Sequence, residues 1–257
     1  MPRNAAVLIL PTRHYLDYVT CVIRRYVLTK NYFVEVTPLV DGSATTANVR
    51  DTITSRDPSL VFGTGHGVGC AYSVECTEVF LAVSSPENPA CVDMNLDVVG
   101  GRVWYLLSCS TGRELGKSLI DYGARAFLGY AEDFLFPITH SPCGAREVVS
   151  PFIPDVKALS ALLSGSSVGE AVEVREREYD RELSYWVVGL GRGSPDAPLI
   201  SRILEANRLV AVSYGDVEVR PLTPQVTAVG TAVETLKKLV TAGILIYPFI
   251  PVPRRGG

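Results

Sequence analysis

"SLVFGTGHGVG", residues 59–69, decides how the rest of the chain is read. Leu60, Val61 and Phe62 form a short apolar run that stops at glycine. A strand buried on both faces of a parallel sheet has that pattern. Gly63, Gly65, Gly67 and Gly69 then surround His66. Such a loop either cradles a phosphate or presents the histidine. The glycines are spaced G-x-G-x-G-x-G, not G-x-G-x-x-G, and no clear helix follows. The run is also the third strand signal rather than the first, and it lacks a G-K-[ST] ending. All of this counts against a nucleotide loop.

Strand and helix signals alternate outward from this stretch. "AAVLIL" (5–10) is a strand stopped by Pro11, followed by a helical stripe of Tyr15, Tyr18, Val19, Val22, Tyr26 and Val27. "YFVEVTPLV" (32–40) is a second strand, and residues 46–57 are a second helix. Residues 70–100 carry no sustained period and are expected to be irregular. "RVWYLLSC" (102–109) is a fourth strand, "TGRELGKSLIDYG" (111–123) a helix closed by Gly123, and "ARAFLGYA" (124–131) a fifth strand. "DVKALSALLSG" (155–165) is a short helix. Ser167 and Glu170 fit a capping box that opens a charged helix, whose charges read as a solvated face. "NRLVAVSYGD" (207–216) reads as a final strand and turn. Strands separated by helices predict an α/β fold: a mostly parallel sheet with helices on both faces. The main domain is expected over residues 1–221. Residues 222–257 form an appendage, with a helix near 229–242 and the apolar segment "ILIYPFIPV" (244–252).

Composition narrows the function classes. The chain has 257 residues, 47% of them hydrophobic and 20% charged, enough to bury a core without metals or disulfides. A net charge of -3 without a basic cluster gives no electrostatic case for nucleic acid or an anionic membrane. No apolar run is long enough to span a bilayer, and "MPRNAAVLILPTRHY" is not a secretory signal, so a cytoplasmic protein is expected. The six cysteines include no CxxC pair, so neither a zinc ribbon nor any other metal or cofactor is implied. Gln225 is the only glutamine and there are three histidines, a composition that leans thermophilic. In a hyperthermophile, cytosolic disulfides are admissible. Two of Cys70, Cys76 and Cys91 could pair, although buried small hydrophobes is the preferred reading.

Ligands of open parallel sheets bind outside the carboxyl ends of the strands. His66 lies just past the third strand, and Cys109 closes the fourth. If these strands are neighbours, imidazole and thiol come within reach of each other. A helix starting behind Cys109 is expected to lower its pKa. Alone, each residue has an ordinary structural explanation, a small core thiol and a loop histidine. Together they form a nucleophile with its base. No G-x-S-x-G elbow is present for a serine hydrolase.

The blocks "LVFGTGHG" and "VWYLLSCSTGRELGKSLIDYGARAFLGYAEDF" resemble the caspase-like (clan CD) cysteine peptidases, in particular their gingipain-type and CHAT-type branches. "ALSALLSGSSVGEAVEVREREY" and "VAVSYGDVEVRP" are similar to later gingipain-type stretches, so the likeness covers roughly residues 5–221. It departs at Ser108, where alanine is common, at Val217, where proline is common, and in the 222–257 tail, which has no counterpart. The resemblance implies a caspase-like three-layer sandwich and a cysteine endopeptidase acting on protein or peptide substrates, without a cofactor. Cys109 would be the nucleophile and His66 the general acid/base. The N–H groups of Gly67 and Cys109 would form the oxyanion hole. Glu132 and Asp133 are the candidates for binding a basic residue before the cleaved bond, with Glu75 and Glu78 as weaker options. His14 and His140 carry no assigned role. The alternatives are a caspase-like module that binds without cleaving, or a nucleotide- or small-molecule-binding α/β protein.

Overall fold

The computed structural model describes residues 2–13, 15–75, 78–138 and 143–224. In chain order the elements begin with β1 (Arg3–Leu10), α1 (Leu16–Tyr26), β2 (Glu35–Val40), α2 (Thr46–Arg56) and β3 (Pro58–Thr64). Next come β4 (His66–Val68), β5 (Ala71–Glu75), β6 (Glu78–Ala82) and β7 (Val103–Leu107). Then follow α3 (Leu115–Asp121), β8 (Ala126–Tyr130), α4 (Arg146–Val149), α5 (Ile153–Leu163), α6 (Val168–Val187), α7 (Ala197–Val210) and β9 (Ala211–Gly215).

Six strands form the central sheet in the order β2-β1-β3-β7-β8-β9. The first five are parallel and β9 is antiparallel to β8. Strand alternation assigns the core to two faces. Leu8, Phe62 and Tyr105 pack with α1, α5 and the first turns of α6. Ile9, Val61 and Trp104 pack with α2, α3 and the β5–β6 strands. Because both faces are covered, the central strands are apolar throughout rather than alternating. The expected three-layer α/β architecture is therefore present, and no helix of the described residues is long and apolar enough to cross a membrane.

Several boundaries differ from the sequence reading. Residues 70–100 are not wholly irregular: β4, β5 and β6 form a second, antiparallel sheet. The buried alternation of Tyr72, Val74 and Phe80 drives it, in segments too short to show a period. Residues 207–210 end a helix rather than begin a strand. Asn207 and the buried Ile200, Ile203 and Leu204 share the packed stripe of α7, and the helical period wins over β-propensity there. The expected helix at 229–242 lies outside the described residues. Leu222 is buried in the core and Thr223 exchanges two hydrogen bonds with Asn4.

The charged helix was only half read. Its capping box forms as expected, with Ser167 N–H donating to Glu170 and Glu170 N–H to Ser167 Oγ. Arg220 also grips the Glu170 carboxylate through both guanidinium nitrogens. Those bonds hold the carboxyl below its usual range. Yet Arg175, Glu178 and Glu182 are buried, because α6 packs between α5 and α7. Arg175 lies near Asp155, whose carboxylate accepts from Tyr105 Oη at 2.5 Å and Tyr130 Oη at 2.6 Å.

Two disulfides close the described chain on itself, Cys21–Cys143 and Cys70–Cys91. The reading of Cys70 and Cys91 as unpaired small hydrophobes is therefore corrected. Their Cα atoms are 6.2 Å apart because the β4–β5 turn and the 83–99 loop fold onto one another, within bonding range.

Candidate active site

The β3–β7 register pairs each residue n with n+43, from Leu60↔Val103 to Thr64↔Leu107. Continuing it two residues past the sheet sets His66 level with Cys109. The spacing in sequence is thus also a spacing in space. The two residues leave the carboxyl ends of neighbouring strands, where open parallel sheets place their ligands.

The glycine loop is shaped by Tyr72. This fully buried tyrosine of β5 donates its hydroxyl to the Thr64 carbonyl at 2.9 Å. A Cβ on Gly63 would lie 2.5 Å from that hydroxyl, and one on Gly65 2.6 Å from Cε2 of the ring. The glycines therefore make room for an aromatic plate beneath the backbone that carries His66. Gly67 serves the other neighbour, since a Cβ there would overlap the carbonyl oxygen of Cys109. Gly67 faces Tyr72 across β5, one residue before the pair Val68↔Ala71 that closes the hairpin. The closing pair of a two-residue hairpin is hydrogen-bonded, so Gly67 occupies the open position and its N–H points away from β5.

Cys109 sits on a turn rather than on a helix. Ser110 adopts a left-handed φ of 57°, a conformation a non-glycine residue keeps only where its surroundings impose it. Its N–H donates to the Glu132 carbonyl at 2.9 Å and its hydroxyl to Asp133 Oδ1 at 3.0 Å. Gly112 N–H donates to the Tyr130 carbonyl at 2.7 Å, and a side chain there would collide with Val212. The expectation that a helix N-terminus lowers the Cys109 pKa is not met. The helix behind it begins only at Leu115 and has 7 residues. Burial instead pushes the thiol up, and the Asp133 carboxylate adds in the same direction. Cys109 is half-buried and is the free cysteine among the described residues.

Of the two candidate acids, Glu132 is taken by an ion pair with Arg113. Asp133 remains exposed beside Cys109, on the β8 side. Glu78 lies apart from both, with its carboxylate accepting from the Thr46 N–H. His14, His140 and the Glu75 side chain lie outside the described residues. Sequence reading missed Tyr72, which had looked like part of an irregular stretch, and Asn207. Buried on α7, Asn207 clamps the Leu135 backbone, accepting from its N–H at 2.7 Å and donating to its carbonyl at 2.8 Å. It thereby fixes the loop that carries Asp133 and Phe134. No group of carboxylates, histidines and cysteines among the described residues is arranged to hold a metal.

No protein-family model and no curated protein matches this sequence. Among solved structures, the complex of the pro- and mature domains of RgpB from Porphyromonas gingivalis is similar, with a TM-score of 0.48 and 13% identity. The match covers 85% of this chain and 49% of that one, so the chain spans about half the length of its solved neighbour.

Proposed function

We propose that the chain is a cysteine endopeptidase that works through Cys109 and His66. The observation that carries this reading is the strand register that sets His66 level with a free Cys109 while the Gly67 backbone touches that of Cys109. In the first step the Cys109 thiol proton passes to His66 as sulfur attacks the peptide carbonyl carbon. The oxyanion is met by the N–H groups of Gly67 and Cys109. The C–N bond then breaks, His66 returns the proton to the leaving nitrogen, and an acyl-thioester remains. Water activated by His66 hydrolyses the thioester and restores the thiol. Because burial holds the resting thiol neutral, proton transfer accompanies attack rather than preceding it. Each oxyanion donor contributes about 3–4 kcal/mol to such a step. A basic residue before the cleaved bond would pair with Asp133, which keeps an exposed carboxylate, rather than with Glu132.

The test is a fluorogenic peptide library varied before the cleaved bond, run with wild type and Cys109→Ala. Cleavage is expected to favour Arg or Lys and to vanish in the variant. A second reading, a module that binds without cleaving, draws on the raised thiol pKa. It gains if no peptide is cut in a Cys109-dependent way, including at high temperature. The two disulfides agree with the cytoplasmic expectation if the source is a hyperthermophile; otherwise they point to an oxidising compartment.

A further inference from the structure

The sheet order gives the site two sides. Asp133 follows β8, on one flank of Cys109, and His66 follows β3, on the other. In the reaction above, His66 delivers the proton to the departing nitrogen. The part of the substrate that follows the cleaved bond therefore leaves over His66, away from Asp133.

On that flank His66 and Gly67 form one end of a cleft of about 460 Å³. Its walls come from Val68, Val79, Ala82, Val92 and Met94, and no charged residue lines it. Val68, Val92 and Met94 are 49%, 64% and 41% exposed, apolar side chains held in solvent at one rim. The rim is built rather than loose. Met94 N–H donates to the Ala82 carbonyl at 3.0 Å, and the disulfide from Cys91 to Cys70 ties the rim loop to the β4–β5 turn. A concave, mostly apolar site of this size with a few polar groups at one end is the usual form of a ligand pocket.

We propose that this cleft is the subsite for the leaving-group side of the substrate, and that it selects peptides with an apolar side chain just after the cleaved bond. The proposal rests on the peptidase reading and adds to it a substrate class. A peptide running from Asp133 across Cys109 to His66 continues into this cleft without turning. Its side chain there meets only apolar wall, so an acidic or basic residue would lose water and gain no partner.

Quenched peptides with a fixed sequence before the bond and Leu, Gly, Lys or Asp after it test the idea. In the wild type, kcat/KM for Leu is expected to exceed that for Gly by about tenfold, with Asp and Lys poorer still. Val92→Glu and Met94→Glu change exposed positions, so the fold tolerates them. Each is expected to raise the Lys-to-Leu ratio of kcat/KM about tenfold. That ratio is taken within one protein sample and does not depend on how much of it is folded. Cleavage that requires Cys109 but ignores the residue after the bond would overturn the subsite and leave the peptidase reading standing. An unchanged Lys-to-Leu ratio in both variants would do the same. If no peptide is cleaved in a Cys109-dependent way, both fall.

Discussion

The backbone of Gly67 rests directly on the backbone of Cys109: a Cβ at Gly67 would overlap the Cys109 carbonyl oxygen and come within 2.6 Å of Thr111 Cγ2. Gly67→Ala must therefore part the histidine loop from the cysteine turn. The expected loss in kcat/KM is about 10²–10³-fold, the effect of one misplaced oxyanion donor. Alkylation of Cys109 by iodoacetamide, followed by mass, should persist. Near-normal peptide cleavage in this variant would exclude Gly67 from the reaction centre.

Tyr72→Phe keeps the ring beneath the glycine loop and removes only the hydroxyl that reaches Thr64. A buried carbonyl is then left short of a partner, at a cost of about 1–3 kcal/mol. The expected outcome is a lower thermal midpoint together with reduced kcat, because Thr64 is two residues from His66. Tyr72→Ala should be worse, since it also opens a cavity.

The Cys109 thiol is pushed up by burial first and by the Asp133 carboxylate as well. Its alkylation rate should therefore climb at a pH above the ordinary thiol range. Asp133→Asn removes a like charge and should move that rise to lower pH. The sign for stability follows from the same shift. With the folded pKa above the unfolded one, the contribution is complete below the unfolded pKa and fades as pH rises through the folded value. Thermal midpoints on the alkaline side should fall less in Cys109→Ala than in the wild type.

Asp155 accepts hydrogen bonds from Tyr105 and Tyr130 and faces the buried Arg175. Asp155→Ala leaves two hydroxyls and a guanidinium without their acceptor, and about 3–5 kcal/mol of stability should go with it. Denaturant unfolding of this variant beside Tyr105→Phe, where a smaller loss is expected, would measure the difference.

Reduction should cost stability at both disulfides. In the chain-entropy account, a bridge over the 21-residue Cys70–Cys91 separation contributes about 3 kcal/mol, and the 122-residue Cys21–Cys143 link somewhat more. Non-reducing peptide mapping should recover both pairs, and a reductant should lower the thermal midpoint by several degrees. If only single cysteine-containing peptides are recovered, the pairings are wrong.

Strand identity was legible wherever both faces of the sheet are covered, as in Val7–Leu10 and Val103–Leu107, because burial on both sides leaves an unbroken apolar run. The meeting of His66 and Cys109 was legible because β3 and β7 are adjacent in the sheet as well as consecutive among its strand signals. Other features depend on partners far away in sequence. Tyr72 acquires its role only when β5 folds back under Gly63 and Gly65. Arg175 looks like one more surface charge until α5 and the Tyr105–Tyr130 pair close over it. The thiol's environment was misread because five residues of turn separate Cys109 from α3, and local pattern alone does not distinguish that turn from a first helical turn.

The antiparallel β4–β6 unit is inserted between the strand that delivers His66 and the strand that delivers Cys109, yet it takes no part in the central sheet. The register of β3 on β7 is set by their own contacts, so this insert can lengthen, shorten or change its side chains without shifting one catalytic candidate against the other. Reaction chemistry and selectivity for the departing half of a substrate would then be separable units of inheritance. An engineer could graft the insert of a relative between Gly67 and Arg102 and change what is cut while keeping how it is cut.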